Sequence, residues 1–178
     1  MVDGRMSAAA PDEPGTGSAT GSGQVLNRLL AAYPSGEGGL SADGIPFARV
    51  DVAAVPEAAA LLADELGYGR FIDLTAVDDP RREERFELVY LFYSMAERAW
   101  FRLKARTAGE APSITPRFPA VDWYEREVWD LYGVRFVGHP ELTRIMLPDD
   151  WQGHPLRRDE PAMIEPVDFT VTREIYGT

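Results

Sequence analysis

The side chains that could do chemistry are concentrated near the C-terminal end of the chain, between Trp123 and Arg158. Glu127 and Asp130 lie in a segment with helical periodicity, and side chains three residues apart share one face of a helix. Two carboxylates held side by side could exchange protons with a substrate, or they could anchor arginines. The spacing alone leaves both interpretations open.

A purely structural interpretation of the same segment is equally available. An ion pair from Arg126 to Asp130 at i,i+4 would occupy the second carboxylate. Asp122 is a candidate N-cap, and Glu125 three residues later completes the pattern of a capping box. Under this interpretation the charged residues hold the helix in place and do not react.

The two histidines, His139 and His154, are each followed by proline, with Asp149 and Asp150 between them. Histidines and carboxylates bind zinc and iron, so these four residues outline a hypothetical metal site in a stand-alone metalloenzyme. However, none of the compact HxH or HxxxH spacings is present. A turn at each His-Pro, with the imidazole bound to loop backbone, is the favoured interpretation. We therefore expect no metal ligand among these residues.

Composition limits the function classes. The chain has 178 residues and a formal net charge of -11, which disfavours binding to nucleic acid or to anionic lipid. It has no cysteine, which removes disulfides, thiolate zinc sites and cysteine-bound iron–sulfur clusters. No apolar run approaches the length of a membrane span, and the first residues lack the apolar core of a signal peptide. We expect a cytoplasmic protein.

The elements that must position these residues follow from the pattern along the chain. Residues 1–23 are rich in Gly, Ser and Ala without aromatics, which predicts a disordered tail. A helix is predicted from Gln24 to Tyr33 and a short strand over Ile45–Val52. Pro56 suits the first turn of a second helix. One domain is therefore predicted over residues 24–159.

Three strand-like segments come next, at Phe71–Val77, Arg85–Ser94 and Ala99–Arg106. The second is apolar on nearly both faces, which indicates a central strand. A helix that begins near Asp122 and ends at Gly133 follows the meander. This helix is apolar almost all round, so either the domain or another subunit must cover more than one side of it. The predicted fold class is α+β, with N-terminal helices, a mostly antiparallel meander, this helix and an extended C-terminal segment.

The run WYEREVWDLYGVRFVGHPELTRI, residues 123–145, resembles the signature of the C subunit of proton-pumping NADH:quinone oxidoreductase, respiratory complex I. The continuation GHPLRRD and the strand FIDLTAVD are similar to that family as well, so the resemblance spans about residues 71–159. The residues that match the signature and its continuation, and that the resemblance identifies as family and interface positions, are Glu125, Arg126, Glu127, Asp130, Gly133, Phe136, His139, Pro140, Leu142, Arg144, Ile145, His154, Arg157 and Arg158.

The resemblance implies a non-catalytic subunit of the peripheral arm that supports the quinone-reducing module. It implies contacts with the D and B subunits of complex I, and membrane association only through the complex, at the cytoplasmic face of the cell's inner membrane. FMN and the iron–sulfur clusters would be held by partner subunits, and NADH and quinone would be substrates of the whole complex. An equivalent subunit of a related complex, linked to ferredoxin or plastoquinone or belonging to a membrane-bound hydrogenase, is an open alternative. Residues 160–178 are expected to dock on a partner as an extended tail.

Overall fold

The computed structural model describes residues 19–160. In chain order the helices and strands are α1 (Ala19–Ala32), β1 (Glu37–Leu40), β2 (Pro46–Val50), α2 (Val55–Asp64), β3 (Arg70–Asp78), β4 (Phe86–Ser94), β5 (Ala99–Thr107), β6 (Glu110–Pro112), α3 (Asp122–Tyr132) and β7 (Arg135–Val137). The predicted α+β class is confirmed.

Five strands form the main sheet in the order β1-β2-β5-β4-β3. Neighbours are antiparallel except β2 and β5, which are parallel. The predicted meander of three strands is confirmed, and β4 has a hydrogen-bonded neighbour on each side. A second, two-stranded parallel sheet pairs β6 with β7 and brings the segment before α3 beside the segment after it.

The hydrophobic core lies between one face of the main sheet and the three helices. Alternate residues of β4, such as Tyr90 and Phe92, point into this layer because side chains alternate across a strand. They meet the buried faces of the helices at Leu29 of α1, Leu62 of α2 and Val128 of α3. The core therefore fixes α3 against the sheet through its apolar side.

Two elements differ from the sequence-based expectation. Helix α1 begins at Ala19, so residues 19–23 are helical although we assigned them to the tail. Strand β1 was not predicted, because Gly38 and Gly39 give it no side-chain alternation. It forms because its backbone pairs with β2, where Gly38 lies opposite Ala48. The remaining tail, residues 1–18, and the predicted docking tail beyond Glu160 lie outside the described residues.

Candidate functional site

Helix α3 begins differently from the prediction. A 3-10 turn over Pro119–Val121 leads directly into it, so Asp122 is the first helical residue and Val121 occupies the N-cap without a side-chain hydrogen bond. The capping box from Asp122 to Glu125 was therefore wrong. Because the preceding turn already sets the chain in helical geometry, Glu125 is free to face the interior.

Glu125 is fully buried and joins α3 to the segment that follows β6. Its Oε2 accepts a hydrogen bond of 2.6 Å from the Ser113 hydroxyl, and its Oε1 accepts one of 2.9 Å from the Ile114 N–H. The Ser113 hydroxyl also lies 2.7 Å from the hydroxyl of Thr115. This side chain therefore fixes the start of α3 on the preceding loop.

Burial raises the pKa of Glu125 to about 7, because removal from water penalises the charged form. The hydrogen bonds from Ser113 and Ile114 act in the opposite direction, and the nearby charge of Asp122 adds to the increase. His139 lies close, with its Nε2 4.0 Å from Glu125 Oε2, and its side chain is fully buried too. The carboxyl group is thus the titratable centre of a buried polar cluster.

Asp130 is the second fully buried carboxylate of α3, and it organises the loop that follows β7. Its Oδ2 accepts three backbone hydrogen bonds, from Ile145 at 3.1 Å, Met146 at 2.9 Å and Leu147 at 3.1 Å. Its Oδ1 forms an ion pair with Arg144. Burial alone would raise the pKa of Asp130, but these hydrogen bonds outweigh it, and the pKa lies below the ordinary value.

Arg126 does not pair with Asp130, so the predicted i,i+4 ion pair was wrong. Its guanidinium instead donates to the Thr143 carbonyl at 3.1 Å and to the Thr143 hydroxyl at 2.8 Å. It also lies over the Trp123 ring at 5.0 Å. Arg126 and Asp130 therefore each bind the loop that passes over the helix, and they do not bind each other.

The C-terminal end of α3 is closed by the same loop. Gly133 adopts φ 79° and its N–H donates to the Trp129 carbonyl, as the predicted helix end requires. The carbonyl of Asp130 lies 2.9 Å from Nδ1 of His154. The carbonyl of Leu131 accepts from the Leu156 N–H at 3.0 Å. Carbonyls that a helix end leaves without partners are thus satisfied by residues 154–156.

The two histidines stand at opposite ends of α3. His139 Nε2 lies 3.2 Å from the carbonyl of Asp122, and its Nδ1 accepts from the Glu141 N–H at 3.1 Å. His154 binds the carbonyl of Asp130, eight residues further along the helix, which corresponds to about 12 Å. Each imidazole binds backbone as predicted, but the predicted loop partner is present only for His139, because His154 binds a carbonyl of α3. Within residues 19–160 no group of three or more His, Cys, Asp or Glu side chains is placed to hold a metal ion.

The end of the loop is fastened to the hairpin between β3 and β4. Arg85 binds the buried carboxylate of Asp78 through two hydrogen bonds, of 2.7 and 2.6 Å, and binds Asp159 through two more, of 2.7 and 2.9 Å. Asp78 also accepts from the Arg158 N–H at 2.8 Å. Arg157 lies over the Phe86 ring and 3.4 Å from Asp159. Two hydrogen bonds from Arg85 to Asp159, and one from the Arg158 N–H to Asp78, thus hold the end of the loop against the hairpin.

The structure brings most of the predicted site residues around α3. Phe136 is buried in the core, Leu142 packs against it, Ile145 supplies one of the N–H groups, and Pro140 is exposed beside the turn. Glu127 is half-buried and binds no side chain within the described part of the chain. Its pairing with Asp130 for acid–base work has no geometric basis, because Asp130 is occupied by Arg144 and three N–H groups.

Sequence reasoning missed five residues of the site: Ser113, Thr143, Asp78, Arg85 and Asp159. Ser113 and Thr143 lie in proline-rich or polar segments with no periodicity, so no local signal marked them. Asp78 was visible as the last residue of FIDLTAVD, but its partner Arg158 is 80 residues away. Such a pairing depends on the fold.

Residues 138–160, which we call the wrapping loop, therefore run along α3 and contact it from the carbonyl of Asp122 to the carbonyl of Leu131. Its contacts engage buried carboxylates, arginines and helix-end carbonyls of the same chain. Within residues 19–160, no helix is long and apolar enough to cross a bilayer. The fold and the site define an α+β domain in which the charged residues of the signature form contacts within the chain.

The comparisons with known proteins identify that domain. Residues 48–165 match the family model described as "Respiratory-chain NADH dehydrogenase, 30 Kd subunit". The chain belongs to this family, and the resemblance seen in residues 71–159 is confirmed. The matched region begins within β2 and contains β3, β4, β5, α3 and the wrapping loop.

Several curated relatives are named as the C subunit of NADH-quinone oxidoreductase. The one from Roseiflexus castenholzii is 40% identical over 166 residues, which cover 86% of this chain and 92% of that protein. The one from Rhodobacter capsulatus is 48% identical over 105 residues, which cover 57% of this chain and 53% of that protein. A C/D subunit of the same enzyme from Methylococcus capsulatus is 42% identical over 134 residues, 68% of this chain and 23% of that protein. The chain thus spans about half of the Rhodobacter relative and less than a quarter of the Methylococcus one.

The fold is also found in solved structures. A chain of the membrane-bound sulfane sulfur reductase, an archaeal respiratory membrane complex, superposes with a TM-score of 0.67. The match covers 77% of this chain and 84% of that chain at 24% sequence identity. At this identity the similarity establishes the fold.

Proposed function

We propose that this chain is a non-catalytic subunit of the peripheral arm of a proton-translocating NADH:quinone oxidoreductase, and that it supports assembly of the quinone-reducing module. The observation that carries the proposal is the relative from Roseiflexus castenholzii, because the alignment covers nearly all of both proteins. In this role the redox chemistry belongs to partner subunits, which hold FMN and the iron–sulfur clusters. NADH and quinone are substrates of the complex.

The geometry around α3 suits a rigid surface more than a reaction site. Asp130, Glu125 and Arg144 are occupied by hydrogen bonds within the chain, so they hold a fixed shape. Around them, large apolar side chains remain exposed; they include Trp123 at 62%, Met146 at 60% and Leu156 at 49%. Exposed apolar side chains presented by a rigid frame are typical of an interface. We propose that the D and B subunits of the complex bind on this side.

Membrane association in this proposal comes only through the complex, at the cytoplasmic face of the inner membrane. It is supported by the net charge of -11, which would repel anionic lipid. Residues 160–178 are proposed to extend onto a partner subunit.

The test is purification of the tagged chain from membranes of its native cell in mild detergent. We expect it to co-purify with flavin- and cluster-bearing subunits in a fraction that reduces quinone with NADH. Recovery of the chain only as a monomer, free of redox subunits, would refute the proposal. A strain with the untagged chain is the control for adventitious binding.

Glu127→Arg probes the proposed interface within the same experiment. Glu127 is half-buried on α3 and binds no other side chain in the described residues, so a reversed charge should disturb a partner more than the domain itself. We expect less assembled complex with normal turnover per complex. Glu83→Arg, an equal charge reversal at an exposed position of the turn between β3 and β4, is the matched control. Full assembly with lost turnover would indicate a direct catalytic part.

A related complex is the second candidate, because the fold occurs in a sulfane sulfur reductase of an archaeal respiratory membrane. An equivalent subunit of a ferredoxin- or plastoquinone-linked complex, or of a membrane-bound hydrogenase, would co-purify with different redox partners. Assay of the purified complex with NADH and with reduced ferredoxin as donors separates the two. The metalloenzyme hypothesis is not supported, because His139 and His154 bind carbonyls at opposite ends of α3.

A further inference from the structure

The face of the main sheet that points away from the helices has no cover within residues 19–160. The strand residues that point to the core belong to one continuous cluster with the helices, whereas the alternate residues point the other way. In β4 these outward residues are Glu87, Val89, Leu91 and Tyr93. A strand with one wet face normally alternates apolar and polar residues, yet three of these four are apolar. This composition is typical of a covered face.

The neighbouring strands extend the apolar strip. Tyr93 lies opposite Trp100 of β5, with ring centroids 4.7 Å apart, and Trp100 is 39% exposed. Leu91 lies opposite Arg102, which in turn lies opposite Phe47 of β2. The apolar strip therefore consists of Val89, Leu91 and Tyr93 of β4 with Trp100 of β5, and Arg102, which is paired with Asp43, separates it from Phe47.

Beside this strip lies a group of cations, which we call the basic cluster: Arg49, Lys104 and Arg106. All three converge on one carboxylate, Glu87, with nitrogen–oxygen distances of 2.7, 3.7 and 3.6 Å. Their side chains are mostly buried, with 18%, 17% and 31% exposed. Of the three, Arg49 has a second carboxylate, Glu37 on the edge strand β1.

The basic cluster places three cations on two carboxylates, Glu87 and Glu37, which leaves one positive charge in excess. The Nε atoms of Arg49 and Arg106 and the Oε1 of Glu87 are all buried without a hydrogen bond within the described residues, although Arg106 Nε lies 3.6 Å from that oxygen. One carboxylate is thus shared by three side chains, and a second carboxylate could offer the short, charge-assisted hydrogen bonds that Lys104 and Arg106 do not form with Glu87. In a chain of net charge -11, an excess of positive charge is a local exception.

We propose that this sheet face, made of the apolar strip and the basic cluster, binds an acidic amphipathic segment of another protein. Apolar side chains of that segment pack on Val89, Leu91 and Tyr93, and a carboxylate binds Lys104 and Arg106. A second copy of this chain is a poor occupant, because a twofold interface places each patch against itself and would bring cations to cations. This surface lies on the opposite side of the sheet from α3, so one domain binds partners on two sides.

Photo-cross-linking tests the proposal in the native cell. The photoreactive residue p-benzoyl-phenylalanine replaces Tyr93, whose aromatic ring it resembles, in the full chain, and the same replacement at Arg81 serves as control. Arg81 lies in the turn between β3 and β4 with 84% of its side chain exposed. We expect irradiation to link position 93, and not position 81, to one peptide of another protein that carries both apolar and acidic residues.

A charge variant makes the result specific. Lys104→Gln with Arg106→Gln removes the two cations least satisfied by Glu87 without introducing a reversed charge. We expect the cross-link at position 93 to fall about fivefold or more, since each lost ion pair contributes on the order of a threefold change in binding. Arg81→Gln with Arg82→Gln, two exposed arginines of the turn, should leave it unchanged. Equal melting temperatures of the purified variants exclude unfolding as the cause.

The proposal is overturned if position 93 is cross-linked to a second copy of this chain, or to residues 1–18 or 161–178 of the same chain. It is also overturned if the cross-linked peptide is basic or wholly apolar. Finally, it is overturned if the cross-link yield at position 93 does not exceed the yield at position 81. A cross-link that persists in the Lys104→Gln, Arg106→Gln variant overturns it too, because the cations would then contribute nothing. The outcome is independent of the co-purification test. Cross-linking can identify an acidic partner peptide even if the purified fraction has no NADH:quinone reductase activity. Equally, the fraction can have that activity although no acidic peptide is cross-linked.

Discussion

The imidazole of His154 lies directly against the backbone of Gly133. A Cβ atom at Gly133 would be 2.6 Å from Cδ2 of His154 and 2.8 Å from its Nε2. Gly133 is also in the left-handed conformation that ends α3, with φ 79°. This glycine therefore meets two requirements, and the second of them is set by a residue of the second GHP motif, 21 positions later in the chain.

Gly133→Ala is expected to lower the free energy of unfolding by about 2–5 kcal/mol, since the left-handed conformation costs ~1–2 kcal/mol and overlap with His154 costs ~1–3 kcal/mol. Gly44→Ala is the matched control, because Gly44 has the same φ of 79° but no atom within 4 Å of a Cβ. It should lose only about 1–2 kcal/mol. Urea unfolding followed by tryptophan fluorescence measures both. Equal losses of unfolding free energy in the two variants would show that the contact with His154 does not contribute to the cost of Gly133→Ala.

Asp130→Asn is expected to destabilise the domain by about 3–5 kcal/mol, because it leaves the largely buried Arg144 guanidinium without its counter-charge. The neutral amide also accepts weaker hydrogen bonds from the N–H groups of Ile145, Met146 and Leu147. Hydrogen exchange should then show faster exchange at these amides. Asp150→Asn, at an exposed position, should change the free energy of unfolding by less than about 0.5 kcal/mol. Unchanged protection at residues 145–147 would contradict the contact.

Glu125 should make stability depend on pH. Its pKa in the folded domain, about 7, lies above the ordinary value of 4.5, so folding favours the protonated form. The contribution is fully present below pH 4.5 and is lost as pH rises through 7. Stability at pH 8 should therefore be lower than at pH 5 by up to about 3 kcal/mol from this group, at about 1.36 kcal/mol per pKa unit.

Glu125→Gln should remove that part of the pH dependence, since glutamine has no proton to lose. The measurement is the free energy of unfolding between about pH 5 and pH 8 for the parent and the variant. Glu127→Gln, the same substitution on the same helix, should keep the slope of the parent. A parent and a Glu125→Gln variant with equal slopes would refute ionisation of Glu125 as the source.

The two carboxylates bound to Arg85 should differ in importance. Asp78 has a 1% exposed side chain and also accepts from the Arg158 N–H, whereas Asp159 is 48% exposed. We expect Asp78→Asn to cost about 3 kcal/mol and Asp159→Asn less than about 1 kcal/mol. Limited proteolysis within residues 157–160 gives a second measurement, because loss of either bond loosens the end of the wrapping loop. A larger loss from Asp159→Asn would contradict the role of burial.

Local periodicity made much of the fold predictable. The alternation in β3, β4 and β5 and the positions of α2 and α3 were visible because each element forms from consecutive residues. Strand β1 was missed because its glycines give no pattern, and it exists through pairing with β2. The capping box at Asp122 was wrong because the 3-10 turn before α3 already starts the helix, and Glu125 is used by Ser113 and Ile114 instead.

The sequence by itself determined the family, the α+β class and the end of α3 at Gly133. These features follow from residues close together along the chain, because within one helix or strand the spacing in sequence fixes which side chains lie on the same face. Only the tertiary structure decided that Asp130 pairs with Arg144 and not with Arg126, and that the wrapping loop covers α3. Hydrogen bonds form over about 3 Å, so partners many residues apart become known only when the chain folds back. The fold also decided burial, which makes Glu125 a group that titrates near neutrality.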